Sequence, residues 1–250
     1  MSAAAAWPPG YALLELDEID STNQEAKRRA AAGVTSPLWI MAVRQSEGRG
    51  RRGNAWQSLA GNLAATLLIR PERRAAECAQ LSFAAALAVS DMLARFAPHA
   101  GLGLKWPNDV LADGRKIAGI LLESESRSDG MAAWLAVGIG VNLAAFPDDV
   151  DFPATSLAVQ GILPPTPRDA MLDLAAAFAK WYEVWRTQGF SPVREAWLAR
   201  ASGLGSRIRA RLTNEEITGV LQGIDESGAL LLGVPGGTTR IIAAGEIFFG

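Results

Sequence analysis

The chain has very few of the residues that form the commonest reactive and metal-binding sites. Its 250 residues include one cysteine, Cys78, and one histidine, His99. A lone cysteine excludes an internal disulfide and any site built from several cysteines, and a lone histidine excludes a histidine cluster. Cys78 falls on the apolar side of a predicted helix and His99 follows the proline that ends it, so we interpret both as structural residues.

Long apolar runs and long basic runs are also missing. No stretch approaches the roughly 20 apolar residues of a membrane span, and residues 1–10 lack the basic and apolar segments of a secretory signal. The 24 Lys and Arg residues are balanced by 26 Asp and Glu residues, with a pI of about 5.6. Such a chain lacks the field that a polyanion or an anionic membrane requires. We therefore expect a cytoplasmic protein that binds neither nucleic acid nor membranes.

Positive charge is concentrated in one short segment rich in glycine and arginine. Gly48-Arg49-Gly50-Arg51-Arg52-Gly53 is followed, after Asn54 and Ala55, by Trp56. Glycine lets the backbone approach a ligand closely, and the planar guanidinium of arginine suits phosphate and carboxylate. Trp56 adds a flat face on which a base can stack. Taken alone, the segment is equally consistent with an anion site and with an exposed loop.

The N-terminal half alternates predicted strands and helices. Residues 12–18 have a strand pattern, and Asp20-Ser21-Thr22-Asn23-Gln24-Glu25 then supplies the polar residues and capping-box spacing of a helix start. Ser21, Thr22 and Asn23 either only cap this helix, which the local pattern favours, or also line a polar ligand site. Further strands are predicted over 38–43 and 62–69, and a helix over 75–96.

A short predicted hairpin brings a lysine close to an acid and an amide. The turn dipeptide Asp113-Gly114 lies between short apolar runs, which indicates a hairpin. This turn should fold Lys116 back toward Asn108 and Asp109.

A longer hairpin is predicted from 117–125 and 131–143. Gly119, Gly138 and Gly140 interrupt its strands. Strand glycines mark either a bulge, which we favour for any single one, or a place where a ligand or another backbone lies close. If the strand over 131–143 is exposed, it could pair two chains.

The pattern changes near residue 203. Helices are predicted over 168–188 and 191–201, whereas short strand-like runs at 207–212, 217–224, 229–234 and 238–242 are separated by turn residues. That spacing is typical of a small antiparallel barrel. We therefore predict a larger domain over 1–203 and a barrel over 204–250.

The remaining candidates for chemistry are cations and amides. The chain has neither a G-x-x-x-x-G-K-[ST] loop nor a G-x-S-x-G elbow. Its polar candidates suit the attack of an ionised carboxylate on a nucleotide phosphate, which needs charge neutralisation and alignment of two anions more than it needs a base. They are Arg49, Arg51, Arg52, Lys116, Asn108, Asp109 and Asn142.

Four ordered blocks, and a fifth near the N-terminus, carry a resemblance to a known family. They are the Gly/Arg segment with Trp56, Lys105-Trp106-Pro107-Asn108-Asp109, Lys116-Ile117-Ala118-Gly119-Ile120-Leu121, Gly138-Ile139-Gly140-Val141-Asn142 and Asp20-Ser21-Thr22-Asn23. The first four, in this order, resemble biotin protein ligase, and the Asp20-Ser21-Thr22-Asn23 block fits as well. The resemblance covers essentially residues 12–250. The resemblance implies an α/β (α+β) fold, with a central mixed β-sheet flanked by helices, similar to class II aminoacyl-tRNA synthetases. It also implies that 1–203 is a catalytic domain and 204–250 an SH3-like barrel.

The resemblance implies a two-step reaction. Biotin and ATP would give biotinyl-5'-AMP, with Mg²⁺ as cofactor, and the biotinyl group would pass to a lysine of a biotin carboxyl carrier protein, as in acetyl-CoA carboxylase. The enzyme would be a monomer or a homodimer. Only about a dozen residues precede the first predicted strand, so the form expected is one without an N-terminal DNA-binding domain.

The resemblance also assigns roles to residues. Catalytic roles fall to Lys116, which would bridge the biotin carboxylate and the α-phosphate, and to Arg51 and Arg49. Biotin would be bound by Ser21, Thr22, Asn23, Gln45, Gly48, Arg49, Gly119, Leu121 and Gly138. The nucleotide would be bound by Arg51, Trp56, Asn108, Asp109, Lys116 and Asn142, and Asp109 would also help to place Mg²⁺.

Three other interpretations remain open. Family members often carry arginine where this chain has Asn54, which leaves room for an inactive biotin-binding paralogue. A lipoate or octanoate ligase or transferase has a similar fold but needs an apolar pocket lining. A non-enzymatic RNA binder is disfavoured by the acidic pI and by the single short basic loop.

Overall fold

The computed structural model describes residues 6–148, 150 and 152–249. The helices and strands in chain order are β1 (Ala12–Ile19), α1 (Thr22–Ala31), β2 (Leu38–Gln45), β3 (Leu63–Ile69), α2 (Ala75–Cys78), α3 (Leu81–Phe96), β4 (Leu102–Lys105), β5 (Asp109–Ala112), β6 (Arg115–Ser126), β7 (Ala132–Val141), α4 (Pro167–Gln188), α5 (Phe190–Leu198), β8 (Arg207–Arg211), β9 (Glu216–Ile224), β10 (Leu230–Gly233), β11 (Thr239–Ile242) and β12 (Glu246–Phe249).

The larger sheet is mixed. Its seven strands lie in the order β1-β2-β3-β7-β6-β5-β4. Only β1 and β2 are parallel, joined by α1, and every other neighbouring pair is antiparallel. This arrangement confirms the predicted central mixed sheet.

The two faces of this sheet are covered by different helices. Along β2, Trp39 and Met41 pack into the main core with α3 and α4, whereas Ile40 packs into a small second core with Ala26 and Ala30 of α1. Because successive strand side chains point to opposite faces, this alternation places α1 on the face opposite to α3 and α4. The sheet is therefore flanked by helices on both sides, as predicted.

The C-terminal strands form a separate antiparallel sheet with an SH3-like arrangement. Its five strands lie in the order β11-β10-β9-β8-β12. It contacts the turn between β4 and β5 of the larger sheet, where Trp106 Nε1 donates a hydrogen bond to Gly228 O at 3.0 Å. The domain boundary near residue 203 stays a prediction.

Three local predictions were wrong. The helix expected over 75–96 is two helices, interrupted at Ala79 and Gln80; Gln80 uses its side chain to bond Trp185 Nε1 and Glu226 O. β12 was not predicted, because a four-residue run at the chain end carries little periodicity. β7 lies between β3 and β6, so it is not an edge that could pair two chains.

No helix in the described part of the chain is long and apolar enough to cross a membrane.

Candidate active site

The candidate site occupies the face of the larger sheet that α1 covers, beyond the start of that helix. Gly138 of β7 is aligned with Thr66 of β3 on one side and with Leu121 of β6 on the other. Gly140 is aligned with Gly119 in the same way. The intervening Ile139 and Ile120 point into the main core. Strand alternation therefore brings the glycines of two sequence blocks onto one polar face.

A buried hydrogen-bond network lies where α1 begins. Thr22 donates to Gln45 Oε1 from its backbone N (2.8 Å) and from Oγ1 (3.0 Å). Thr66 Oγ1 lies 2.8 Å from Thr22 Oγ1 and donates to Asn23 Oδ1 at 2.6 Å. Ser21 occupies the N-cap position, yet its side chain makes no capping hydrogen bond. The cap-only interpretation is therefore wrong, since Ser21 and Thr22 line a cavity.

Asn23 has its amide fixed at both ends. Its Oδ1 accepts from Thr66, and its Nδ2 donates to Glu123 Oε2 at 2.7 Å. A Cβ atom at Gly138 would overlap the Asn23 side chain. Glycine at 138 therefore makes room for this amide, so the interpretation as a bulge was wrong for this residue.

Trp56 rests on the two neighbouring strand glycines. A Cβ atom at Gly140 would overlap its indole ring, and one at Gly119 would lie 3.2 Å from Trp56 Cζ3. The register irregularities of β6 fall elsewhere, between Glu125 and Ser126 and opposite Val110 and Leu111. These glycines therefore permit close approach of a ring.

The Gly/Arg segment is a narrow loop folded over the site. It is closed by backbone hydrogen bonds from Gly50 N to Asn54 O (2.7 Å) and from Trp56 N to Gly48 O (2.9 Å). Arg52 adopts a left-handed conformation with a φ of 56°. Arg49 forms an ion pair with Glu123 at 3.2 Å.

Arg51 points from this loop toward both sheets. Its Nη1 donates to Asn108 Oδ1 at 3.2 Å and to Gly245 O at 3.4 Å. Burial lowers the pKa of Arg51, although Asp109 and Glu246 oppose that shift. A guanidinium remains charged despite such a shift, because its pKa starts above 12 or so. Arg51 thus supplies a fixed, partly desolvated positive charge.

A carboxylate between two lysines forms the centre of the site. Asp109 lies 2.7 Å from Lys116 Nζ and 3.2 Å from Lys105 Nζ, which confirms that the short hairpin folds Lys116 back onto Asp109. Burial by itself would raise the pKa of Asp109, but Lys116 and Lys105 hold it below its ordinary value. Burial lowers the pKa of Lys105, whose ammonium also lies 4.2 Å from the centre of the Phe152 ring. The cluster carries one net positive charge when all three groups are ionised.

Two asparagines hold the backbone around this cluster. Asn108 Nδ2 donates to Ile120 O at 2.7 Å. Asn142 is buried, and its Oδ1 lies 3.5 Å from the Nδ2 of Asn62. Asn62 Oδ1 in turn accepts from the backbone N atoms of residues 143, 144 and 145, at 3.0, 2.9 and 3.1 Å. Asn62 therefore fixes the turn that follows Asn142.

Nearly all the predicted site residues surround one cavity. The central cavity is lined by Ser21, Thr22, Asn23, Gln45, Arg49, Arg51, Trp56, Asn108, Asp109, Lys116, Gly119, Leu121 and Gly138, with Asn54 at its edge. Asn142 lines an adjoining cavity, which shares Trp56, Asp109 and Lys116 with the central one. Gly48 lies behind Trp56, against the carbonyl oxygen of that residue. The roles assigned to these residues stay predictions.

The surroundings of Asp109 bear on the predicted Mg²⁺ site. Its two carboxylate oxygens face Lys116 and Lys105. Those ammonium groups take the positions that a cation would need, so Asp109 does not fit as a metal ligand in this arrangement. Within the described residues, no group of three or more His, Cys, Asp or Glu side chains could hold a metal ion.

Three residues of the site were not predicted. Thr66 and Glu123 bond to Asn23, and Lys105 pairs with Asp109. Lys105 belongs to the Lys105-Trp106-Pro107-Asn108-Asp109 block, but the resemblance assigned it no role. Thr66 could have been predicted as a site residue, because it is polar and lies in the otherwise apolar strand Leu63–Ile69. Nothing in the sequence pattern distinguishes Glu123 from Glu125, the other acid of β6.

Comparisons with known proteins agree with this geometry. Residues 16–142 match the Biotin/lipoate A/B protein ligase family, and residues 203–250 match the biotin protein ligase C terminal domain. A biotin--[acetyl-CoA-carboxylase] ligase of Paracoccus denitrificans is 49% identical over 241 residues, which are 94% of this chain and 99% of that protein. The chain belongs to the biotin protein ligase family. Within that family, a ligase of the same name from Mycobacterium tuberculosis is 34% identical over 92% of this chain and 86% of its own length.

A solved structure of the biotin protein ligase family has the same fold. The ligase from Aquifex aeolicus, in complex with biotin and ATP, superposes with a TM-score of 0.80 and 28% identity. The match covers 96% of this chain and 98% of the other. It confirms the predicted fold class, and the Aquifex protein is in complex with both biotin and ATP.

Proposed function

We propose that this protein is a biotin protein ligase, which activates biotin with ATP and transfers it to a lysine of a biotin carboxyl carrier protein. One observation carries the proposal most directly: the polar side chains of Ser21, Thr22 and Gln45 line the same cavity as the Lys116 and Arg51 cations. The pocket can pair with a polar head group such as the ureido ring of biotin, while the cations face its carboxylate. The acetyl-CoA carboxylase carrier is the substrate that the names of the relatives suggest.

In the first step, a biotin carboxylate oxygen attacks the α-phosphorus of ATP. A new P–O bond forms while the bond to the β-phosphate breaks, which yields biotinyl-5'-AMP and pyrophosphate. Both reactants are anions, so the reaction is accelerated mainly by positive charge and by alignment. Lys116 leaves Asp109 to bridge the carboxylate and the α-phosphate, and Arg51 and Arg49 neutralise the remaining charge.

In the second step, a carrier lysine attacks the acyl carbon as a free amine. An amide bond forms, and AMP leaves with the electron pair of the acyl–phosphate bond, while the amine loses one proton. The mixed anhydride must be kept from water until then. The Gly/Arg loop, which lies over the central cavity, provides that cover.

The nucleotide occupies the part of the site around the asparagines. We place the adenine against the face of Trp56, near Asn142, because an indole offers a stacking surface. Mg²⁺ prefers oxygen ligands and commonly arrives on substrate phosphates. Asp109 can help to place it only after Lys116 has moved to the substrates. A cytoplasmic location, one or two chains in the active form, and no binding of nucleic acid or membranes remain parts of the proposal.

A lipoate or octanoate ligase is the second candidate, because the matched family includes both kinds of enzyme. Its acyl substrate has no polar head group to pair with Ser21, Thr22 and Gln45, which line the cavity. Thr22 and Gln45 already bond each other, but the hydrogen-bonding capacity that they retain can pair with a polar head group and not with an apolar chain. The polar network therefore favours biotin.

Biotin-dependent exchange of pyrophosphate into ATP tests the proposal. Biotin, lipoate and octanoate are compared on the wild type, on Lys116→Ala and on Lys180→Ala, a control that removes an exposed lysine of α4. We expect exchange with biotin alone, a loss of about 100-fold or more in Lys116→Ala, and no change in Lys180→Ala. Exchange with lipoate or octanoate would move the protein to the other branch of the family. No exchange with any acid would indicate an inactive binder.

A further inference from the structure

Glu123 links two parts of the site that the sequence blocks do not connect. Its Oε2 accepts from Asn23 Nδ2 at 2.7 Å, and its Oε1 pairs with Arg49 Nη1 at 3.2 Å. Asn23 belongs to the start of α1, and Arg49 belongs to the Gly/Arg loop. One carboxylate on β6 therefore contacts two residues to which the family resemblance assigns biotin binding.

The contact with Asn23 has the stronger structural consequence. Asn23 is 5% exposed, and Thr66 bonds the other end of its amide. An asparagine amide can turn over, which exchanges its acceptor and its donors. Glu123 accepts only, and it makes the shorter of the two bonds from Nδ2, the other being to Leu121 O at 3.5 Å, so it favours the orientation in which Nδ2 points toward β6 and Oδ1 toward Thr66 and Gly138. A hydrogen bond to a charged acceptor also holds more strongly than a neutral one.

The contact with Arg49 acts on the loop. Both side chains are partly exposed, at 46% for Arg49 and 31% for Glu123, so solvent weakens this ion pair. Its importance is geometric, because it holds a flexible arginine at the rim of the central cavity. Asn23, Arg49 and Glu123 border a surface hollow, which is also lined by the charged groups of Lys27 and Glu125.

We propose that Glu123 is a positioning residue for the biotin pocket, acting through Asn23 and Arg49 rather than on the reacting atoms. The inference rests on the proposed function. It predicts that losing Glu123 weakens biotin binding selectively, whereas ATP binding and the chemical step are largely retained, because Lys116 and Arg51 form their ion pair and hydrogen bonds with other residues and Arg49 keeps its charge. A merely structural role would affect both substrates.

Three variants separate the two contacts. Glu123→Ala removes both. Glu123→Gln keeps an oxygen that can accept from Asn23 but loses the charge that attracts Arg49. Glu125→Gln is the control, since Glu125 lies two residues along the same strand and bonds Trp134 Nε1 at 3.1 Å instead of the loop.

The measurement is the KM for biotin, the KM for ATP and kcat in pyrophosphate exchange. For Glu123→Ala we expect the KM for biotin to rise about tenfold or more, with the KM for ATP and kcat within about threefold of wild type. Glu123→Gln should recover most of the biotin affinity. Glu125→Gln should match the wild type in all three.

A double-mutant cycle tests the link to the loop. Arg49→Gln and Glu123→Ala should be non-additive in the KM for biotin, because both variants remove the same ion pair. The inference is overturned if Glu123→Ala leaves the KM for biotin within about twofold of wild type, or if it raises both KM values equally. Either result leaves the proposed function standing. Absence of biotin-dependent exchange in the wild type would overturn the proposed function and the inference together.

Discussion

Single side chains decide how closely the loop and the helix start approach the sheet. Gly138 and Gly140 are the points of contact, with Asn23 lying on the first and Trp56 on the second. Neither glycine has a positive φ, so their role here is the missing side chain and not unusual backbone geometry. Close packing of this kind is sensitive to one methyl group.

Gly138→Ala should therefore damage the part of the site that we propose to bind biotin. The new Cβ atom overlaps the Asn23 amide, which must turn away from Thr66 and Glu123. We expect a loss of about 1–3 kcal/mol in the free energy of unfolding and a raised KM for biotin. Urea unfolding and pyrophosphate exchange measure the two effects.

Asn23→Ala in the same background provides the control for that prediction. Removing the amide removes the overlap, so the double variant should regain stability relative to Gly138→Ala without regaining biotin affinity. Equal stability of Gly138→Ala and the wild type would show that no such overlap exists.

Asp109→Asn should be strongly destabilising, because it leaves two lysines without their carboxylate. Lys105 is 5% exposed and burial already lowers its pKa. Removing one partner of a buried ion pair costs about 3–5 kcal/mol. The unpaired Lys105 should have a still lower pKa in the folded state, so the unfolded chain binds more protons and stability rises with pH. Urea unfolding should therefore show a smaller deficit near pH 9 than near pH 6.

Asp113→Asn is the comparison for that experiment. It changes an acid in the turn beside the same strand, where no lysine pairs with it, and Asp113 Oδ1 accepts from Gly101 N through an atom that asparagine retains. A deficit in Asp109→Asn that does not depend on pH would contradict the assignment to Lys105.

At the scale of elements, α1 is held at its start by charge as well as by packing. Asp20 accepts from both terminal nitrogens of Arg28, at 2.8 and 2.7 Å, and its Oδ1 also accepts from Ser21 N. These contacts join the residue before the helix to its last turn. The start of α1 therefore has a defined position relative to Gln45, on which the polar pocket depends.

The pairing of Asp20 with Arg28, which acts as a tether along α1, should weaken in acid. The hydrogen bond from Arg28 lowers the pKa of Asp20 to about 2 from an ordinary value of 3.8. A lowered folded-state pKa stabilises the protein above the unfolded value, and this stability is lost as pH falls from about 4 to about 2. Asp20→Asn should thus have a lower Tm than the wild type at pH 6, and the difference should shrink below pH 4 or so.

Asp17→Asn tests whether that effect belongs to the tether. Asp17 is an exposed acid on β1. Its variant should match the wild type in Tm across the same pH range. If both variants lose the same Tm, general charge accounts for the change and the tether does not.

Elements and motif residues could be predicted, whereas the contacts between them depend on sheet register. Strand alternation and capping residues predicted β1, α1 and the two hairpins. Thr66 and Glu123 carry no such pattern, and they meet Asn23 across 43 and 100 residues of sequence. Likewise, the close approach at Gly140 required the position of Trp56, which no local pattern contains.

At the scale of the whole molecule, the two sheets share one core. Ile208 and Leu230 of the C-terminal sheet belong to the same buried cluster as α3 and α5. Phe83 of α3 packs on Trp197 and would overlap a Cβ atom at Gly228. The C-terminal sheet also reaches the site through Gly245, which accepts from Arg51. The sheet is therefore expected to unfold together with the rest.

Trp106→Phe tests this coupling between the sheets. The variant keeps an aromatic ring but loses the buried hydrogen bond to Gly228 O, which leaves that carbonyl unsatisfied and costs about 1–3 kcal/mol. Near-UV circular dichroism and far-UV circular dichroism should still report one common unfolding transition at a lower urea concentration. Amide hydrogen exchange in residues 204–250 should become faster.

Trp134→Phe is the matched control, because Trp134 Nε1 bonds Glu125 within the β6–β7 hairpin. It should lower stability without a selective rise of hydrogen exchange in 204–250. A C-terminal sheet that unfolds in a separate transition in the wild type would contradict a shared core. Exchange in 204–250 that is unaffected by Trp106→Phe would show that the bond to Gly228 does not hold the sheets together. With both outcomes as expected, the C-terminal sheet folds together with the larger sheet, and this shared fold keeps Gly245 in place to accept from Arg51.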